Sequence, residues 1–74
     1  MRVLLFGIVA EKAGSHELDL EASSLAALRD QLHARIPGLV RMSYAIAVDC
    51  RIVKEDAPLT GSEEIAVLPP FAGG

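Results

Sequence analysis

The sequence predicts an α+β domain in two layers, a mixed β-sheet covered on one face by a single main helix. Three observations carry this. The chain has 74 residues and is 51% apolar, enough for one small core and no second domain. Only the stretch from Ser23 to Ile36 has a helical period, whereas the other apolar segments are short and bounded by turn-forming residues. A lone helix cannot enclose a core by itself, so the strands must supply a sheet for it to lie on.

In chain order, Arg2 to Val9 is rich in Val, Leu, Ile and Phe at both parities, the pattern of a central strand covered at least in part on both faces. Gly7 interrupts it and signals a bulge or a close backbone approach. After the turn signal "KAGS", the segment "HELDLE" alternates, with His16, Leu18 and Leu20 on one side and Glu17, Asp19 and Glu21 on the other. From Ser23 the period changes. Leu25, Leu28, Leu32 and Ile36 form one stripe of an amphipathic helix, Ser23 or Ser24 is its N-cap, and Pro37-Gly38 is its stop.

"YAIAVDC" reads as a strand again, with Tyr44, Ile46, Val48 and Cys50 on one face. A short strand follows at "RIVKE", a loop at "APLTGSEE", and a last strand at "EIAVL" that Pro69 and Pro70 must end, since neither donates a ladder hydrogen bond. The first and last strands are the most apolar and are expected to be neighbours in mid-sheet. Residues 1–68 are then the domain, and residues 69–74 an extended tail.

Composition excludes several function classes. The net charge is −3 and the seven basic residues are scattered, so no nucleic-acid-binding face is expected. "MRVLLFGIVA" falls well short of the roughly 20 apolar residues that span a bilayer, and no stretch has the layout of a signal peptide, so a cytoplasmic protein with no membrane partner is expected. The single cysteine, Cys50, reads as a small inert hydrophobe at the last inward position of its strand. His16 and His33 lack companions at metal-ligand spacing, so no metal is expected. The acidic residues Glu55, Asp56, Glu63 and Glu64 read as a solvated face. No nucleophile, base and orienting group can be assembled from these residues, so the chain is not expected to be catalytic alone.

The ending "LPPFAGG" is the informative motif. Pro69-Pro70 favours extended polyproline geometry and projects the tail away from the domain. Seven residues reach about 23 Å, enough to enter a neighbour's cleft. Gly73 and Gly74 have no side chain, so they can thread a narrow channel and bring the terminal carboxylate to a reactive centre. A carboxylate becomes a useful electrophile once it is activated, for example as an acyl-adenylate. Gly74 is therefore the expected reactive residue.

The order of elements, "YAIAV", "APLTGSEEIAVLPP" and the closing "PPFAGG" resemble the small subunit of molybdopterin synthase, a sulfur carrier of the ubiquitin-like β-grasp superfamily. The resemblance covers the whole chain, and Pro-Pro-x-x-Gly-Gly is its most specific part. It implies that an E1-like enzyme uses ATP to adenylate Gly74, which becomes a thiocarboxylate with sulfur from a donor such as a cysteine desulfurase. The tail then enters the large subunit, in a heterotetramer, and gives its sulfur to precursor Z for the molybdopterin dithiolene. The chain itself is expected to bind no cofactor.

A single helix leaves the other sheet face partly bare, and Phe6, Ile52 and Leu68 are apolar residues expected on it. In the family, a hydrophobic surface on these strands meets both the activating enzyme and the large subunit, and the resemblance carries that role onto these three residues, with Phe71 of the tail. Two alternatives share the terminal chemistry: a sulfur carrier for thiamine or tRNA thiolation, and a ubiquitin-like modifier joined to lysines.

Overall fold

The first apolar run divides at Gly7. In the computed structural model, which describes residues 1–69, strand β1 covers Arg2–Leu5 and helix α1 covers Gly7–Ala13. The expected strand to Val9 is thus corrected, and the reason lies in the backbone. Phe6 is still extended, but Gly7 sits at φ +56°, a region that glycine enters without steric cost, and the chain leaves the sheet there. Val9 and Ala10 are buried from α1, so a short helix satisfies the same apolar pattern that a strand would. "KAGS" is the end of this helix: Gly14, at φ +74°, donates its N–H to the carbonyls of Ala10 and Glu11.

The remaining strands are β2 (Glu17–Asp19), β3 (Ala45–Val48), β4 (Arg51–Ile52) and β5 (Ile65–Leu68). They form one five-stranded sheet in the order β2-β1-β5-β3-β4. The first and last strands are neighbours, as expected: β5 lies parallel to β1 and antiparallel to β3.

Helix α2 (Leu25–Arg35) covers one face. Its stripe of Leu25, Leu28 and Leu32, with Ile36 just beyond, is fully buried against Val3, Leu5, Ile46, Ile65 and Val67 of the sheet. Of the two candidate N-caps the structure selects Ser24, whose Oγ accepts the Ala27 N–H at 3.2 Å. Asp56 accepts the Ala26 N–H at 2.9 Å, and the Leu25 N–H reaches the Ala57 carbonyl at 2.8 Å. Asp56 is therefore more than a member of a solvated acidic face. It ties the loop before β5 to the start of α2 and satisfies an N–H that the helix cannot.

Cys50 is also corrected. Strand β3 stops at Val48, which pairs with Arg51, and Asp49 and Cys50 form the two-residue turn between β3 and β4 at φ +48° and +69°. Two left-handed residues in a two-residue hairpin define the type I′ geometry. The alternation ends where the chain turns, and Cys50 is exposed. Among the described residues no helix is long and apolar enough to cross a membrane.

Candidate functional site: the open sheet face and the base of the tail

Strand register assembles the open face. Ile52 pairs with Ala47, Ala47 with Ala66, Ala66 with Leu4, and Leu4 with Glu17, so these five residues form one row across the sheet. Paired residues in a sheet point to the same side. In the next row Ala45 pairs with Leu68. Phe6, two residues after Leu4 and still extended, joins it by donating its N–H to the Val67 carbonyl at 3.3 Å.

The three residues expected on this face are therefore brought together. Phe6 is 44% and Ile52 49% exposed, and Leu68 is half-buried between them. The half-buried Leu4, Ala45 and Ala66 complete the patch, with the buried Ala47 as its floor, and sequence reasoning missed them. Period-two reading from Phe6 and Leu68 would have found Leu4 and Ala66. Ala45 and Ala47 alternate with Ile46 in "YAIAV", but two alanines do not announce a surface. With three alanines the centre of the patch is low, flanked by Phe6 and Ile52. At the β2 side it meets the exposed ion pair of Arg2 and Glu17, 2.9 Å apart.

The tail begins beside this patch. Pro69 follows the last residue of β5 and is half-buried. Its ring lies over Gly7: a Cβ on Gly7 would meet Pro69 Cγ at 2.9 Å, Cβ at 3.5 Å and Cδ at 3.8 Å. Gly7 is thus closely approached, not by another stretch of backbone as expected but by the ring of Pro69 at the root of the tail. Pro70, Phe71, Gly73 and Gly74 lie outside the described residues.

Elsewhere the polar chemistry serves the fold. Glu63 accepts N–H bonds from Thr60 at 2.8 Å and Gly61 at 2.9 Å, which hold its carboxyl down at about 2. Asp49 accepts the Glu64 N–H at 2.9 Å. His33 Nε2 meets the Tyr44 hydroxyl at 2.7 Å, with the Arg29 guanidinium 5.7 Å from the Tyr44 ring centre. Among the described residues no three His, Cys, Asp or Glu side chains are grouped to hold a metal ion.

An apolar sheet face at the root of a di-glycine tail fits a carrier that offers its own terminus to partners. The chain matches the ThiS family over residues 3–74 and belongs to it. The family is one of ubiquitin-like sulfur carriers, whose members act with E1-like activating enzymes and partner enzymes. Among solved structures the chain is similar to SAMP1 from Haloferax volcanii, with 22% identity over 100% of this chain and 98% of that one and a TM-score of 0.83. That likeness establishes the ubiquitin-like β-grasp fold. No curated protein matches the chain significantly.

Proposed function

We propose that the chain is the sulfur-carrying small subunit of molybdopterin synthase, acting in the cytoplasm. The Gly74 carboxylate attacks the α-phosphate of ATP on an E1-like enzyme and pyrophosphate leaves. A persulfide charged by a donor such as a cysteine desulfurase then attacks the acyl carbon, and AMP departs with the lost oxygen; a second thiol reduces the acyl disulfide so formed, which releases the thiocarboxylate and leaves a disulfide behind. The thiocarboxylate tail enters the large subunit of a heterotetramer and passes its sulfur to precursor Z. Phe6, Ile52, Leu68 and Phe71 meet the partners, while Pro69, Pro70 and Gly73 let the tail thread.

Support comes from one observation above all: the family match runs through Gly74, and the chain that leads there is rooted on the central strand beside an apolar face. The sequence ending Pro-Pro-x-x-Gly-Gly favours the molybdopterin branch.

Intact mass after incubation with ATP, the activating enzyme and sulfide tests the chemistry. The expected product has one oxygen replaced by sulfur at Gly74, and deleting Gly74 abolishes it without unfolding the domain. Gly73→Val, which adds a β-branched side chain to the threading segment, should lose transfer with little change in Tm. Heavier adducts through lysine would replace this reading with protein modification. The acceptor is tested by adding the large subunit and precursor Z to the thiocarboxylated chain. Molybdopterin is the expected product, and transfer only to a thiamine or tRNA pathway would overturn the assignment.

A further inference from the structure

We infer that Gly7 is a positioning residue for the reactive terminus, acting through Pro69, an inference that rests on the carrier reading above. Three features meet at this point. Among the described residues the ladder between β1 and β5 has its last bond at Phe6 N–H to the Val67 carbonyl, and Pro69, two residues later, has no N–H with which to extend it. Gly7 then turns the chain out of the sheet at φ +56°. The hollow left by its missing side chain receives the Pro69 ring, with three ring carbons within 3.8 Å of where a Cβ would stand.

A proline has one fixed backbone angle, so seating its ring fixes the direction in which the backbone leaves Pro69. Without this seat the tail would start from a strand end free to swing. Catalysis at a tail tip is sensitive to such freedom, because the carboxylate must meet ATP and then sulfur in a defined geometry. Gly7 thus aims the tail, whereas Phe6, beside it, belongs to the docking patch. The two functions fall on adjacent residues and separate in kinetics: loss of the patch raises KM for the partner, and loss of the seat lowers kcat.

The test uses Gly7→Asn, because Asn tolerates a positive φ while its Cβ still intrudes on the ring, so steric displacement is isolated from backbone strain. With the activating enzyme, ATP and sulfide, thiocarboxylate formation is followed by intact mass across a range of carrier concentrations. Gly7→Asn should lower kcat roughly ten- to a hundred-fold with KM nearly unchanged. Pro69→Gly, which removes the ring, should also lower kcat, and Gly7→Asn in that background should add nothing further.

A full additional loss in the double variant would show that Gly7 acts through α1 and not through Pro69, and would overturn the proposal, as would normal kcat in folded Gly7→Asn. The seat has a readout independent of activity, namely nuclear Overhauser contacts between Gly7 Hα and the Pro69 ring protons in the unmodified chain, which should vanish in Gly7→Asn. Their absence from the unmodified chain sinks the seat whatever the enzyme does. Failure of the unmodified chain to take up sulfur, with those contacts present, would instead sink the carrier reading.

Discussion

The two faces of the sheet are built from the same strands, and the difference between them is one of residue size. The covered face carries Val3, Leu5, Ile46, Ile65 and Val67, whose side chains interlock with the leucines of α2. The open face carries Ala45, Ala47 and Ala66 with Leu4 and Leu68 between two exposed large residues, Phe6 and Ile52. Both are apolar, yet one is filled from within and the other, on the function proposed above, is covered from outside. Apolar content alone does not distinguish a core from a docking surface. Relief does: large branched residues interdigitate, whereas a low platform between two anchors admits a separate molecule.

The strongest way to break this comparison is truncation on the covered face. Leu28→Ala should cost about 2–5 kcal/mol by denaturant unfolding, a large share of the stability of so small a domain. Ile52→Ala, of similar chemistry on the open face, should stay within about 0.5 kcal/mol. Equal losses at the two sites would mean that the open face is part of the core.

Charge on the open face comes next. Burying a side chain such as Phe6 in an interface is worth about 1.5–3 kcal/mol, so Phe6→Glu or Leu68→Glu should weaken partner binding by roughly ten- to a hundred-fold or more. One substitution should impair both the activating enzyme and the large subunit, measured by titration calorimetry, while the circular dichroism spectrum is retained. Unchanged affinity for both would place the docking surface on another side of the molecule.

Cys50 sharpens the comparison at the turn that holds Ile52 at the edge of the patch. A non-glycine residue in the left-handed region costs roughly 1–2 kcal/mol, so Cys50→Gly should raise stability by about 1 kcal/mol and leave sulfur transfer intact. Lost transfer in that variant would reveal a role for the thiol.

The smallest effect is expected at the loop entering β5, the end of that strand away from the tail. Glu63 has its carboxyl lowered from 4.5 to about 2 by the Thr60 and Gly61 N–H groups. A depressed carboxyl contributes stability that is fully present above its unfolded value and is lost as pH falls through the folded one. Glu63→Gln should therefore lower Tm slightly at neutral pH, and its difference from the unmodified chain should shrink between about pH 4.5 and 2. A difference independent of pH would mean that the carboxylate contacts do not hold in solution.

Much of this architecture was legible in the sequence because its signals are local. The stripe from Leu25 to Ile36, the Ser24 cap and the Pro37-Gly38 stop are all contained within α2 or its flanks. The centre of the sheet could be inferred because its two most apolar strands had to be shielded together. What was missed depends on long-range partners or on ambiguous periods. "LLFGIVA" satisfies both strand and short-helix patterns, and only the φ of Gly7 decides between them. Asp-Cys is not a usual type I′ pair, so the strand was read through the turn. Asp56 caps a helix thirty residues earlier in the chain, a relation that no local pattern records. Of the candidate site, Phe6, Ile52 and Leu68 are legible as apolar residues on the bare face, with their docking role implied by the family resemblance, while the alanines between them carry no chemical signal and gain meaning only from register.

The position of β5 between a parallel and an antiparallel neighbour has a mechanical consequence. Traction applied through the tail runs along the strand and loads both ladders at once, in shear, so many hydrogen bonds must fail together. Traction on an edge strand such as β4 would instead peel its few bonds one after another. Forced unfolding is governed by the unfolding barrier, and the shear geometry raises it along the one axis on which a partner holding the tail would tug. On the carrier reading, such a domain would be withdrawn from a cleft by its own terminus and remain folded for the next round.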